Sequence, residues 1–222
     1  GPETVAAVIA EPISTPGGAV VPGDEYWPLL REICDHHGVL LIADEVINGF
    51  GRTGEMFAVN HWGVVPDIMT IAKGIISSYL PLAATVVKDE VADAFAGKEN
   101  YFKHVLTFSG HPVSAAASLK NIEIIQNENM VENSRDVGAY FKEQLEGLAG
   151  DHPLIGDVRG RGLIMGVELV ANRETREPVA EDVHIADKLN ERFKKYGLIL
   201  RMSGNIINIG PAICITEGEV DA

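Results

Sequence analysis

Four short apolar runs in the first ninety residues each stop at an ionisable side chain. Val5–Ala10 (VAAVIA) ends at Glu11-Pro12, Val39–Ala43 (VLLIA) at Asp44-Glu45, Ile68–Ala72 (IMTIA) at Lys73-Gly74, and Leu82–Val87 (LAATVV) at Lys88-Asp89. Continuous apolar runs of this length describe strands covered on both faces. Between the first two, Asp24 to His37 carries Trp27, Leu30, Ile33 and Cys34 at three- and four-residue steps, a helical spacing, with Gly38 placed to cap its end. Strand, helix, strand in that order predicts an α/β sheet that is at least partly parallel.

The rest of the chain changes texture. From Pro112 to about Gly147 it reads helical, with a break near Asn127–Asn133. Beyond lie an expected strand at Leu163–Val170, an amphipathic helix over Val183–Tyr196, and expected strands at Leu198–Arg201 and Ile206–Ile215. A boundary near residue 125 divides an α/β domain (1–125) from a smaller α+β domain (126–222). The chain opens on Gly1 and breaks off where a helix begins, as expected of a piece of a longer protein.

Composition narrows the function classes. A formal net charge of -14 argues against a nucleic-acid or anionic-membrane partner. No signal peptide and no apolar run long enough to cross a bilayer is apparent. Cys34 and Cys214 lack metal-ligand spacing and read as two buried thiols, so no metal is expected and a reducing, cytoplasmic compartment is.

In open α/β sheets ligands bind at the carboxyl ends of parallel strands. Singly, a charged residue there is most often where the chain meets water. Together, Glu11, Asp44 and Lys73 become candidates for one site. A half-buried lysine either pairs with a carboxylate or has a depressed pKa and attacks carbonyls. A lysine amine with an acid that protonates a pyridine nitrogen fits pyridoxal 5'-phosphate (PLP), and the freed amine can then shuttle a proton. Gly49-Phe50-Gly51-Arg52-Thr53-Gly54 also matches G-x-G-x-x-G, but two carboxylates separate it from the strand and no convincing helix follows. A tight active-site loop is the better reading.

These residues resemble the class III (omega) aminotransferases of PLP fold type I. The resemblance rests on Ile9–Pro12, Ala43–Ile47 followed by Gly49–Gly54, Pro66–Gly74 and Leu106–Pro112, in that order, with 29 positions from Asp44 to Lys73. It implies a large domain with a mostly parallel sheet, and a PLP-dependent transaminase working by a ping-pong mechanism through pyridoxamine phosphate. Lys73 would carry the Schiff base and Asp44 would hold the pyridine nitrogen. Val46, two residues on along the strand, would pack on a ring face; without the family it is equally a core valine. Thr107 would bind the cofactor phosphate of the partner subunit in a homodimer, although on its own it reads as belonging to a helix N-cap region. Glu11 would be an active-site carboxylate of variable role.

Arg201, in Leu198–Gly204, resembles the mobile arginine that pairs with a substrate carboxylate in the pyruvate-using amine, taurine or β-alanine subgroup. The bland alternative is a solvated strand arginine. Asn208 stands where the ornithine and 4-aminobutyrate branches have an arginine, which counts against those branches. The phosphate-binding turn and ring-stacking aromatic expected upstream are missing, so this stretch alone is expected to be inactive. Other readings are a same-fold aminomutase, racemase or decarboxylase, or a non-catalytic fragment.

Overall fold

The computed structural model describes all 222 residues, which divide into two compact units: Gly1–Pro12, Pro22–Gly51 and Glu55–Asn129 form the first, and Ile13–Val21, Arg52–Gly54 and Met130–Ala222 the second. The first holds β1 (Ala7–Ala10), α1 (Tyr26–His37), β2 (Leu40–Asp44), β3 (Ile68–Ile71), β4 (Ala84–Val87), α2 (Asp89–Asp93) and α3 (Pro112–Asn127). Its sheet runs β1-β2-β3-β4, with the first two pairings parallel and the last antiparallel.

Helix α1 forms where the spacing predicts it. Gly38 ends it in the left-handed region at φ 66°, and its N–H returns to the carbonyls of Asp35 and Cys34. Glycine adopts that conformation without a Cβ clash. Trp27, Leu30 and Cys34 reach the core with Val39, Leu41, Ala43, Val59 and Val64, but Ile33 lies off that stripe and is exposed.

The apolar runs divide their side chains between two faces of the sheet. Val8, Ala10, Leu41, Ala43 and Met69 alternate onto the face that packs in this core. On the opposite face Ile9 is 61% exposed, and all of β4 is exposed. A strand's side chains point to alternate faces, so covering one face buries only every other residue of an unbroken apolar run.

An ion network holds the opposite end of these strands. Asp67 Oδ2 accepts the Leu41 N–H and Arg31 Nη1, both at 2.8 Å, and Oδ1 accepts Lys88 Nζ at 2.8 Å. Arg31 also reaches Asp35 at 2.7 Å. Burial alone would raise the Asp67 pKa, but the Leu41 N–H and the two cations together bring it down to about 2. A folded-state pKa below the unfolded one means stability that is present above about pH 4 and lost as pH falls toward 2. Asp67→Asn is therefore expected to cost about 3 kcal/mol at neutral pH and to flatten that acid limb, as read by thermal melting across pH. An unchanged acid limb would show that Asp67 does not carry it.

The second unit contains α4 (Met130–Asp151), β5 (Ile155–Arg161), β6 (Ile164–Asn172), β7 (Glu177–Pro178), α5 (Ile185–Lys195), β8 (Arg201–Ser203), β9 (Ile206–Ile209) and α6 (Glu217–Val220). Its antiparallel sheet runs β5-β6-β9-β8, with β7 on β6. Leu163, Met165, Val167 and Leu169 are buried. Arg52 lies within this unit, its Nη1 donating to the carbonyls of Leu163, at 3.0 Å, and Pro211. Two expected strands are shorter or shifted. The first begins at Arg201 and leaves Ile199 93% exposed, and the second ends at Ile209, ahead of Gly210-Pro211, where proline has no N–H for the ladder. Cys34 is buried as expected, whereas Cys214 is exposed because that strand does not reach it.

Candidate active site

Three parallel strands deliver their carboxyl ends to one edge. The register pairs Ala10 with Ala43 and Asp44 with Thr70, so Glu11 follows β1 beside Asp44, the last residue of β2. Lys73 comes three residues after Thr70.

Asp44 Oδ1 accepts the backbone N–H of Val46 at 3.1 Å. The last ladder bond is Glu45 N–H to the Thr70 carbonyl, at 2.9 Å. Val46 therefore lies in the turn beyond β2 rather than on the strand, because the Asp44 side chain takes the N–H that a continuing ladder would use. Its own side chain is half-buried.

Lys73 opens a single 3-10 turn, Lys73–Ile76, with φ 42°. Positive φ is uncommon for a residue bearing a side chain and persists only where neighbours impose it. Here they do. A Cβ on Gly74 would meet Phe50 Cβ at 3.0 Å and the Gly49 carbonyl oxygen at 3.2 Å, so glycine lets the two loops approach without either having to give. From α3, Asn121 Nδ2 donates to the carbonyls of Gly74 and Ile75, at 2.9 and 3.1 Å, and Asn121 Oδ1 accepts the Ser77 hydroxyl at 2.6 Å. The lysine side chain is left exposed on a braced turn.

The Gly49–Gly54 loop behaves as a brace. The Phe50 and Gly51 N–H groups both bond the Met56 carbonyl, and the Phe50 and Phe57 rings meet edge to face at 5.4 Å. A short 3-10 helix, Ala58–Trp62, follows instead of an α-helix that could face a pyrophosphate. Fully buried Glu45 caps it, accepting the N–H groups of Ala58 and Val59 at 3.0 and 2.9 Å. Burial pushes the Glu45 carboxyl up to about 7, with those two bonds pulling the other way.

Thr107 and Arg201 belong to other segments of the chain. Thr107 is exposed in a turn between α2 and α3; α3 is preceded by His111 and opens at Pro112, so Thr107 is not its cap. Arg201 starts β8 in the second unit, exposed, in register with Asn208.

Comparison with known proteins decides the family. The model of the class III aminotransferases matches residues 1–222. The chain belongs to the class III aminotransferases. It is 42% identical across its whole length to the taurine–pyruvate aminotransferase of Bilophila wadsworthia, covering 50% of that protein. It is 43% identical to the putrescine–pyruvate aminotransferase of Pseudomonas aeruginosa, again over the whole chain, covering 48%. An amine transaminase from an uncultivated Pseudomonas species, solved with PLP bound, superposes over the whole chain and 50% of its own with a TM-score of 0.95 at 41% identity. The chain thus spans about half the length of the curated relatives it matches.

The fold is that of the PLP-dependent transaminases, and the family implies pyridoxal 5'-phosphate as cofactor. The residues present fit it. A carboxylate ends β2 and a primary amine opens the turn that follows the neighbouring β3, and the buried hydroxyl oxygen of Thr70, in register with Asp44, lacks a protein partner.

Proposed function

We propose that the whole protein is a PLP-dependent transaminase that moves an amino group from an amine or omega-amino acid to pyruvate. The observation that carries this reading is the placement of Asp44 and Lys73 at the carboxyl ends of adjacent parallel strands. The pyruvate-using names of two relatives support the acceptor, and they belong to those proteins.

When bound, PLP supplies an aldehyde for the amine and a ring that accepts the electron pair of the substrate carbon. Asp44 holds a proton at the ring nitrogen, and its carboxylate charge keeps it there. The Lys73 amine binds the cofactor and then moves the proton at the substrate carbon. Val46 packs on one face of the ring. Thr107 holds the phosphate of the partner subunit's cofactor in a homodimer. Arg201 pairs with the acceptor's carboxylate; Glu11 is a further carboxylate at the edge. The two half-reactions follow a ping-pong order in the cytoplasm. The first unit belongs to the whole protein's large PLP-binding domain, and the second to its smaller domain.

Arg201→Ala is expected to raise KM for pyruvate about 10- to 100-fold, the effect of losing a charge-assisted bond. Turnover of a donor amine lacking a carboxylate should be unaffected in its half-reaction. Equal losses for both substrates, in steady-state and single-turnover assays, would remove Arg201 from the carboxylate site.

The reading is tested on the full-length protein with PLP, by following the visible band as amine and then pyruvate are added. The band is expected to fall with amine and return with pyruvate. A fall without return would exclude pyruvate as acceptor, and no response to any amine would exclude transamination.

A further inference from the structure

Buried hydroxyls are almost always hydrogen-bonded, and Thr70 is an exception at an informative place. Its Oγ1 is shut off from solvent and has no hydrogen-bond partner. Strand threonines commonly bond a neighbour across the ladder. On one side Thr70 is in register with Thr85 of β4, another hydroxyl, yet no bond joins them. On the other side it is in register with Asp44. Residues directly opposite on adjacent strands project to the same face, with Cβ atoms about 5 Å apart. The unpaired hydroxyl and the carboxylate therefore share one face of the sheet.

Asp44 is anchored at one oxygen. Oδ1 takes the Val46 N–H, and Oδ2 lies outside that bond. The terminal torsion of an aspartate is broad, so one bond leaves the carboxylate plane loosely set. A donor at the second oxygen would fix it.

We propose that Thr70 is a positioning residue whose hydroxyl donates to the Asp44 carboxylate when the cofactor is bound, setting the plane that faces the ring nitrogen. This rests on Asp44 being the ring-nitrogen partner. Asp44 and Thr70 stand in register on one face, and rotation about the terminal torsion of the aspartate would bring its second oxygen toward the hydroxyl. The roles divide cleanly: Asp44 supplies charge, the Val46 N–H holds one oxygen, and Thr70 holds the other.

The test compares Thr70→Val, equal in outline but without the hydroxyl, with Thr70→Ser, which keeps it. Both are made in the full-length protein, with PLP as the probe. Removing an unsatisfied buried hydroxyl should leave the melting temperature of the cofactor-free Val variant equal to or above the parent's. Its Kd for PLP should rise about ten-fold, as expected for a lost bond to a charged group. The visible band of the bound cofactor should also shift, and Thr70→Ser should restore both. An unchanged Kd and band in Thr70→Val would overturn the proposal. So would a loss of cofactor-free stability that serine does not rescue, because that marks packing. Borohydride labelling of Lys73 in the parent separates the two levels: without the label the underlying reading fails, and with it an unaltered Val variant overturns Thr70 alone.

Discussion

Replacing Lys73 by alanine in the full-length protein is expected to lower transamination by at least about 10⁴-fold, the upper range of what a positioned acid–base group contributes. The loss is large because one amine serves twice, as the group that binds the cofactor covalently and as the group that moves the proton. Arginine at this position should not rescue, since its guanidinium stays protonated and cannot attack an aldehyde. The fold should survive, because the Lys73–Ile76 turn is held by Asn121 and by the Gly74–Phe50 approach. Relief of the positive φ is not expected, as alanine meets the same Cβ constraint. The measurement is the single-turnover rate with amine in excess. Activity within ten-fold of the parent would exclude Lys73 from the chemistry.

The second large effect is Asp44→Asn, expected to lower kcat/KM on the order of 10²- to 10³-fold, comparable to removing a preorganised electrostatic group from other sites. Asparagine has the same outline, and its Oδ1 can still accept the Val46 N–H that Asp44 accepts at 3.1 Å. What disappears is the negative charge that keeps the ring nitrogen protonated. Cofactor binding should weaken and the melting temperature should hold. A variant that melts normally and works within three-fold of the parent would contradict the assignment. Glu45, one residue on, cannot substitute, because it is fully buried and both oxygens are engaged by the Ala58 and Val59 N–H groups.

The edge of the first sheet was legible in the sequence because its signal is local. An apolar run that ends on Asp44 or on Lys73 states both the strand and the direction in which its end can be used. The α1 boundary was equally local, set by Gly38. So was the break between α3 and α4, where Asn129 takes a positive φ of 50°.

What escaped is nonlocal. Ile13–Val21 and Arg52–Gly54 cluster with residues far along the chain, and no composition shift marks them. Strand β5 carries Gly156, Asp157, Arg159 and Gly160, a sequence without alternation, and exists because β6 pairs with it. Val46 left the strand by donating its N–H to the Asp44 side chain. The buried state of Glu45 and the unpaired Thr70 hydroxyl depend on packing and register, which one strand's sequence does not contain. Asn121, which braces the Lys73 turn from 48 positions away, gave no motif at all.

The measurement that bears most directly on the central claim is borohydride reduction of the full-length, PLP-loaded protein followed by peptide mapping. A pyridoxyl group on Lys73, and on no other lysine in stoichiometric amount, is the predicted result. A folded, full-length protein that carries no label on Lys73 would contradict it.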